Sequence, residues 1–517
     1  MTWSPSPTAI PSPLPDAVRS LVRHAGQVYE GSPALPELQA IALRLDEPLR
    51  VAIAGRVKAG KSTLLNALVG QELAATDAGE CTRIVTWYRD GHTYRVMAHP
   101  RSGPPRQLPP GPSGGVLDVS LGGLRSEDVD RLVVDWPSTA LSTMTLVDTP
   151  GLDSLSVELS RRTETTLGID GEDDQAQVDA VIYLMRHVHG SDVRFLETFR
   201  DDPAERRPIN TIAVLGRADE IGHGRVDALE SAARIATRYR QDPRLQALCQ
   251  TVLPVAGLLA ATAATLREDE FRAITTLARA DQAELERLLV TASRFTHGET
   301  DIAVTPQCRA ALLDRFGFFG LRVSVRLVQS GIATTAVALS RELLARAGLA
   351  PLREALTGRF AGRADVLKAR SALLAVDAVL QRWPVPAAAG LRHEYERITA
   401  GAHEFAEIRL LDTLRTGALM LTENEKADAY RVLGGDGAAP ATRLNLDAQS
   451  PAGEMYRAAI AALTQWQRRA EHPSSTRDVR EAARVLVRTC EGLVLGSQPG
   501  PYGHPAEPRL ATEGMRP

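Results

Sequence analysis

The fold is decided by the stretch Val51-Ala52-Ile53-Ala54-Gly55-Arg56-Val57-Lys58-Ala59-Gly60-Lys61-Ser62-Thr63-Leu64-Leu65. An apolar run that predicts a buried strand leads into the pattern GxxxxGK[ST], and helix-forming residues follow. The glycines let backbone N–H groups turn towards phosphate oxygens, and the start of the helix adds partial positive charge. The residues predicted to bind nucleotide phosphates are Gly55, Arg56, Val57, Lys58, Ala59, Gly60, Lys61, Ser62 and Thr63.

Lys61 and Ser62 carry the chemistry of this loop. The Lys61 ammonium is expected to reach the β- and γ-phosphates, and the Ser62 hydroxyl to ligate Mg²⁺. The chain has 60 basic residues, of which only Lys58, Lys61, Lys368 and Lys426 are lysines. Because arginine stands almost everywhere else, we expect a lysine to persist in this loop where a planar guanidinium does not fit.

A second motif reads Leu146-Val147-Asp148-Thr149-Pro150-Gly151, an apolar strand that ends in an acidic residue. Asp148 stands where a carboxylate holds Mg²⁺, usually through water, and the Gly151 N–H can contact the γ-phosphate. An ordinary strand-to-turn junction is the alternative. The upstream phosphate loop disfavours that alternative.

A threonine between these two motifs is expected to close over the γ-phosphate and to complete the metal site. Thr82 is the first candidate, because it lies in a glycine-containing loop just before a predicted strand. Thr76 and Thr86 are the alternatives, and a plain surface threonine is the remaining interpretation. The predicted catalytic residues are Lys61, Thr82 and Lys58, and the predicted metal ligands are Ser62, Thr82 and Asp148.

Base recognition is predicted after two later strands. The sequence Gly216-Arg217-Ala218-Asp219 takes the place of the (N/T)KxD pattern by which GTPases read guanine. Asp219 would accept hydrogen bonds from guanine N1–H and the exocyclic amine, and Arg217 could stack on the purine. Gly216 departs from the polar residue of the pattern. Ala256 and Gly257 could offer backbone to guanine O6, so GTP is favoured over ATP.

The chain divides by pattern into a predicted α/β domain at 50–266 and a predicted helical bundle or stalk at 267–496. Residues 16–49 are predicted helices that join the bundle, and 1–15 and 497–517 are Pro-rich segments predicted to be disordered. Strand–helix alternation in the first domain predicts a mostly parallel sheet, and Pro104–Gly123 is predicted to be a loop. The predicted strands are Arg50–Ala54, Ile84–Tyr88, Tyr94–Ala98, Thr145–Val147, Ala180–Leu184, Thr211–Leu215 and Thr251–Val255.

Together, the four nucleotide motifs and the flanking helices resemble the dynamin superfamily, and within it the bacterial dynamin-like GTPases of actinobacteria, including the isoniazid-inducible type. The resemblance implies GTP and Mg²⁺ as ligands and self-association through GTPase domains. It also implies nucleotide-driven helix movement, membrane binding or remodelling, and a paralogous dynamin-like protein as a further partner. A GTP-gated regulatory switch without membrane remodelling is the alternative, although the long helical region exceeds what a switch needs.

One departure from the family pattern bears on mechanism. Eukaryotic dynamins carry a Gln-Ser pair inside the phosphate loop, where this chain has Val57 and Lys58. Valine cannot orient the attacking water, so another group must do so. Lys58 is hypothesised either to neutralise charge in a second copy or to stabilise the loop.

Composition limits the partners and the compartment. A net charge of −3 gives no global attraction to nucleic acid, and none is predicted as a partner. The four cysteines (Cys81, Cys249, Cys308 and Cys490) are widely spaced, as expected of a cytoplasmic protein. Membrane contact is expected to be peripheral, at the inner face of the plasma membrane. The aromatic run Phe316, Phe318 and Phe319 is either a membrane tip or, as we favour, a glycine-hinged corner buried in the bundle.

Overall fold

The computed structural model describes residues 13–70, 84–109, 121, 123–138, 141–150, 178–188, 190–198, 210–246, 248–415 and 419–498. These residues form two compact units, one from Pro13 to Ala402 and one that begins at His403. The sequence-based boundary at 266/267 lies inside the first unit. None of the helices in the described ranges is long and apolar enough to cross a membrane.

The first unit is built on a mixed sheet in the order β4-β3-β5-β2-β6-β1-β7-β8-β9. The strands are β1 (Leu49–Gly55), β2 (Val85–Asp90), β3 (Arg95–Pro100), β4 (Arg106–Leu108), β5 (Val129–Trp136), β6 (Met144–Asp148), β7 (Ala180–Met185), β8 (Thr211–Leu215) and β9 (Val252–Pro254). Strand β1 pairs in parallel with β6 and β7, and the parallel ladder continues through β8 to β9. The predicted mostly parallel sheet is confirmed.

Two strands were missed from the sequence. Strand β4 lies inside the segment predicted to be a loop, and β5 was not predicted. Charged residues interrupt the apolar pattern of β5, but Asp135 is paired there with Arg89 and with the Arg95 Nη2 atom at 2.6 Å. Both arginines come from strands that neighbour β5, so the compensation for this buried carboxylate is visible only in the folded sheet.

Helices flank the sheet and continue beyond it. Those of the first unit are α1 (Pro13–Val28), α2 (Leu35–Asp46), α3 (Lys61–Val69), α4 (Gly190–Thr198), α5 (Ala228–Gln241), α6 (Pro243–Gln246), α7 (Gly257–Ala264), α8 (Glu268–Ala278), α9 (Gln282–Leu288), α10 (Ala292–His297), α11 (Pro306–Gln329), α12 (Ala336–Arg346), α13 (Leu349–Ala355), α14 (Ala364–Arg382) and α15 (Ala389–Gly401). Those of the second unit are α16 (His403–Arg415), α17 (Glu423–Val432), α18 (Pro440–Arg443), α19 (Ala452–Glu471) and α20 (Arg477–Gly496). The predicted helical region after the sheet is confirmed.

The N-terminal helices pack against the later ones, as predicted for a bundle built from both flanks. The Tyr29 hydroxyl donates to the Trp383 carbonyl oxygen at 2.6 Å. Lys368 on α14 donates to the carbonyl oxygens of Leu45 (2.8 Å) and Glu47 (3.2 Å), where α2 ends. A cation at a helix C-terminus satisfies carbonyls that have no partner within the helix. One of the four lysines thus joins the two flanks.

Alternating side chains of β1 feed two apolar cores, one on each face of the sheet. Val51 and Ile53 belong to a core that includes residues of α3, α7 and α11, whereas Ala52 and Ala54 belong to a core that includes residues of α5. All four side chains are fully buried. A strand covered on both faces reads as a continuous apolar run, which is why the sequence revealed β1 so clearly.

The aromatic run is a buried corner, and the membrane-tip interpretation is wrong for two of its three members. Gly317 has φ +61° and kinks α11 there. Phe316 and Phe319 are 0% and 3% exposed. Phe318 is half-buried beneath the Arg322 guanidinium, whose central carbon lies 5.2 Å from the ring centroid.

Candidate nucleotide-binding site

The phosphate loop leaves β1 at Gly55, where only glycine fits. Gly55 has φ +146°, and a Cβ there would overlap the carbonyl oxygen of Leu184 on the neighbouring strand β7. Gly60, with φ +101°, precedes α3. Lys58 also has a positive φ, +62°, which is uncommon for a residue with a side chain. The backbone of the loop is therefore held in a special conformation at three points.

Lys61 is the first residue of α3, and its ammonium folds back over the loop. Its Nζ donates to the carbonyl oxygens of Gly55 (3.1 Å) and Arg56 (3.3 Å). Burial lowers the pKa of Lys61, and the charge of Asp148 opposes that shift. A positive charge is thus positioned inside the loop that the sequence identified as phosphate-binding.

Ser62 and Asp148 come together as predicted for a metal site. Strands β1 and β6 are parallel neighbours with Ile53 opposite Asp148, and the Ser62 hydroxyl donates to Asp148 Oδ2 at 3.2 Å. Asp148 Oδ1 is buried without a hydrogen-bond partner among the described residues. Burial raises the Asp148 pKa to about 6, against the opposing effects of Lys61 and Ser62. A hydroxyl and an unsatisfied carboxylate are hard oxygen ligands, so this pair fits Mg²⁺.

The other predicted metal and phosphate contacts fall on different ground. Thr82, Thr76 and Gly151 lie outside the described residues. Thr86 is a buried residue of β2 opposite Asp148, and its hydroxyl donates to the Ile84 carbonyl oxygen at 3.2 Å. Thr86 is therefore a sheet residue and not the loop threonine that the sequence left open.

A pocket beside the phosphate loop receives the residues predicted to read the base. Its lining consists of Ala59, Gly60, Thr63, Leu64, Leu184, Val214, Gly216, Arg217, Asp219, Glu220, Val255, Gly257 and Leu258. Asp219 is 6% exposed, and its Oδ1 has no hydrogen-bond partner among the described residues. Burial raises the pKa of Asp219. A buried carboxylate oxygen without a donor in a pocket is suited to a ligand that brings its own N–H groups.

The departures from the (N/T)KxD pattern have structural reasons. A Cβ at Gly216 would lie 3.0 Å from the Ala59 carbonyl oxygen, so glycine allows the end of β8 to approach the phosphate loop closely. Arg217 has φ +51°, and its Nη1 donates to Glu220 Oε1 at 2.6 Å. Glu220 also pairs with Arg186 at 3.4 Å. Sequence reasoning missed Glu220 at the rim of the pocket, although its i,i+3 spacing from Arg217 was a usable signal.

One predicted backbone contact needs correction. The Ala256 N–H donates to the Ala347 carbonyl oxygen at 2.9 Å, so it is already used within the protein. Gly257 is the first residue of α7, where the N–H has no acceptor within the helix. Of the two predicted backbone donors to guanine O6, the Gly257 N–H is the one that can serve.

Comparisons with known proteins agree with this geometry. A family model described as a 50S ribosome-binding GTPase matches residues 50–214. The isoniazid-induced protein IniC of Mycobacterium tuberculosis is 41% identical over 487 residues, which are 93% of this chain and 98% of that protein. A bacterial dynamin-like protein of Nostoc punctiforme is 31% identical over 150 residues, 26% of this chain and 20% of that protein.

Among solved structures, one titled "An oligomerised bacterial dynamin pair provides a mechanism for the long-range sensing and tethering of membranes" aligns with 94% of this chain and 79% of its own. Its sequence identity is 13% and its TM-score 0.32. That TM-score is too low to carry an argument here.

The nucleotide motifs, their geometry and the relatives define a P-loop GTPase of the bacterial dynamin-like class, an enzyme that hydrolyses GTP. Within that class, the chain belongs to the family of the isoniazid-induced protein IniC. The resemblance drawn from the sequence is confirmed.

Proposed function

We propose that this GTPase binds GTP with Mg²⁺ through residues of the P-loop, Asp148 and the Asp219 pocket, and that it couples hydrolysis to self-association and membrane contact. The observation that carries the proposal is the pair of buried, unsatisfied carboxylate oxygens, one at each end of the site. Asp148 Oδ1 lies at the phosphate end and Asp219 Oδ1 at the base end. Each is complementary to one part of a metal-bound guanine nucleotide.

Each residue has a definite task in this proposal. Lys61 balances phosphate charge, and Asp219 accepts from the guanine N–H groups while the Gly257 N–H donates to O6. Ser62 and Asp148 would hold Mg²⁺, which supplies charge neutralisation for phosphoryl transfer. Thr82 and Gly151 keep their predicted roles at the γ-phosphate.

Self-association is proposed because the P-loop appears incomplete for hydrolysis. Val57 stands where eukaryotic dynamins carry a glutamine, and its side chain is 47% exposed. An exposed apolar residue beside Lys58 at the rim of the site suits contact with a second GTPase domain, which could supply the missing water-orienting group. The partner is a second copy or a paralogous dynamin-like protein. Membrane contact is proposed as peripheral, and family membership is its support.

The regulatory switch remains a second candidate for the same reason. Without a group that orients water, the chain would hold GTP for long periods and act as a gated binding module. The exposed Val57 thus favours either assembly-dependent turnover or a slow switch.

Nucleotide turnover with Mg²⁺, measured for GTP and ATP over a range of protein concentrations, tests the proposal. GTP-selective turnover per molecule that rises with protein concentration supports self-association, and sedimentation with liposomes then tests membrane contact. Slow, concentration-independent turnover with tight GTP binding supports the switch. A preference for ATP would contradict the role of Asp219.

A further inference from the structure

The loop that follows Asp219 has an unusual backbone. Gly222, His223 and Gly224 have φ values of +63°, +60° and +67°, so three consecutive residues lie in the left-handed region. His223 has a side chain and is disfavoured there. Such a backbone persists only where surrounding contacts fix it.

The contacts that fix this loop come from helix α11, almost a hundred residues further along the chain. Arg322 Nη1 donates to the carbonyl oxygens of Gly224 (2.6 Å) and His223 (3.3 Å), and its Nη2 donates to the Leu289 carbonyl oxygen (2.8 Å). One guanidinium thus joins the loop, α11 and the segment after α9. Its planar fork, stacked on Phe318, is preorganised for several acceptors at once.

The loop is packed against the kink of α11 as well as bonded to it. A Cβ at Gly224 would lie 3.1 Å from both Phe318 Cβ and the backbone nitrogen of Phe319. The same position is 3.6 Å from the carbonyl oxygen of Asp219. Gly224 therefore sits between the kinked helix and the backbone of the residue that we propose reads guanine.

Backbone hydrogen bonds connect this contact to the base pocket. The His223 N–H donates to the Glu220 carbonyl oxygen at 3.1 Å, and the Glu220 N–H donates to the Arg217 carbonyl oxygen at 3.0 Å. The segment from Arg217 to Gly224 is therefore one continuous turn, with Asp219 inside it and Arg322 at its far end.

We propose that Arg322 is a positioning residue for guanine recognition: it holds the 217–224 turn so that the Asp219 carboxylate faces the base. The proposal rests on the proposed role of Asp219. Arg322 touches no part of the pocket lining that faces the nucleotide and acts only through the loop backbone. Its loss is expected to change base selectivity and to leave the phosphate end intact.

The test compares GDP with IDP, which lacks the exocyclic amine that Asp219 would accept from. Affinities are measured by titration calorimetry for wild type, Arg322→Ala, Arg322→Lys and the control Arg326→Ala, whose side chain is exposed on the same helix. We expect Arg322→Ala to bind GDP on the order of tenfold more weakly. Its GDP/IDP affinity ratio should fall towards one and KM for GTP should rise, with kcat unchanged. Arg322→Lys should be intermediate, and Arg326→Ala should match wild type.

The outcomes separate the two proposals. A wild-type preference for GDP over IDP that persists in Arg322→Ala, or an equal loss of both affinities, overturns the positioning role and leaves Asp219 in place. Equal binding of GDP and IDP by wild type overturns the role of Asp219 and this inference with it. If Arg322→Ala does not fold, the GDP/IDP ratio of Arg322→Lys decides the matter.

Discussion

The phosphate end and the base end of the site are built in different ways. Lys61 and Ser62 belong to one short stretch, and Asp148 reaches them through a neighbouring parallel strand. The base end instead depends on loops whose backbones are fixed by helices that follow much later in the chain. The phosphate grip is a property of the sheet, whereas the base grip is shared with the helical region.

The contacts at Gly348 make this difference explicit. Gly348, between α12 and α13, has φ +75°, and a Cβ there would overlap the carbonyl oxygen of Pro254. Next to it, the Ala347 carbonyl oxygen accepts from the Ala256 N–H. The loop after β9 is thereby held from outside the sheet, as the loop after β8 is held by Arg322. A signal about the base can therefore reach the helices without passing through the phosphate end.

The largest expected effect is at the phosphate end. Lys61→Ala should lower kcat for GTP on the order of a hundredfold or more, because a preorganised charge is removed from the transferring phosphate. Steady-state phosphate release measures this. Lys426→Ala, which removes a lysine of the second unit, is the control. A Lys61→Ala variant with near-normal kcat would contradict the assignment of the phosphate end.

The next effect is at the base end. Gly348→Ala should cost about 2 kcal/mol or more in free energy of unfolding, because the new Cβ meets backbone and φ is positive. It should also weaken GDP binding by displacing the loop after β9. Denaturant unfolding and calorimetry measure the two effects. Gly390→Ala on α15, where a Cβ meets nothing within 4 Å, should be neutral or slightly stabilising. Wild-type behaviour of Gly348→Ala would break the contrast between the two ends.

A pH effect of similar size should belong to Asp148. Its pKa is raised from 3.8 to about 6, so the folded, nucleotide-free protein holds this proton more tightly than the unfolded chain does. The resulting stability is fully present below about pH 4 and is lost as pH rises through about 6, a change of about 3 kcal/mol. The difference in unfolding free energy between wild type and Asp148→Asn, followed from pH 4 to 7, isolates it. A difference independent of pH would contradict the raised pKa.

The metal gives the opposite dependence for the same group. Because Mg²⁺ binds the ionised carboxylate, affinity for Mg²⁺-GDP should rise as pH increases through about 6. Affinity for GDP without Mg²⁺ should lack this rise.

The smallest effect tests whether the helices also support the phosphate end. Arg353 donates to the carbonyl oxygens of Ala67 (3.1 Å) and Leu68 (3.2 Å) near the end of α3. Arg353→Met should cost about 1–2 kcal/mol in unfolding free energy, since these carbonyls lose a charged donor. Nucleotide affinity should stay close to that of wild type. A large loss of affinity would show that the phosphate end, too, depends on the helical region.

Much of the site was predictable because its signals are local. The phosphate loop, Asp148 and Asp219 each follow an apolar strand, and the ends of parallel strands meet at one edge of a sheet. Thr86 was left open because its hydroxyl partner is a strand carbonyl, which only the ladder reveals. Glu220 and Arg322 were missed because they act through contacts with other parts of the chain.

The sequence by itself determined the class of protein, the P-loop conformation and the acidic residues at both ends of the site. Glycine positions, a strand and a helix start fix such a loop within a dozen residues, so no distant contact is needed. Only the tertiary structure decided that the Ala256 N–H is occupied, that Phe316 and Phe319 are buried, and that Arg322 holds the turn beyond Asp219. Hydrogen bonds and burial depend on which segments meet in space, and that is settled when the whole chain packs.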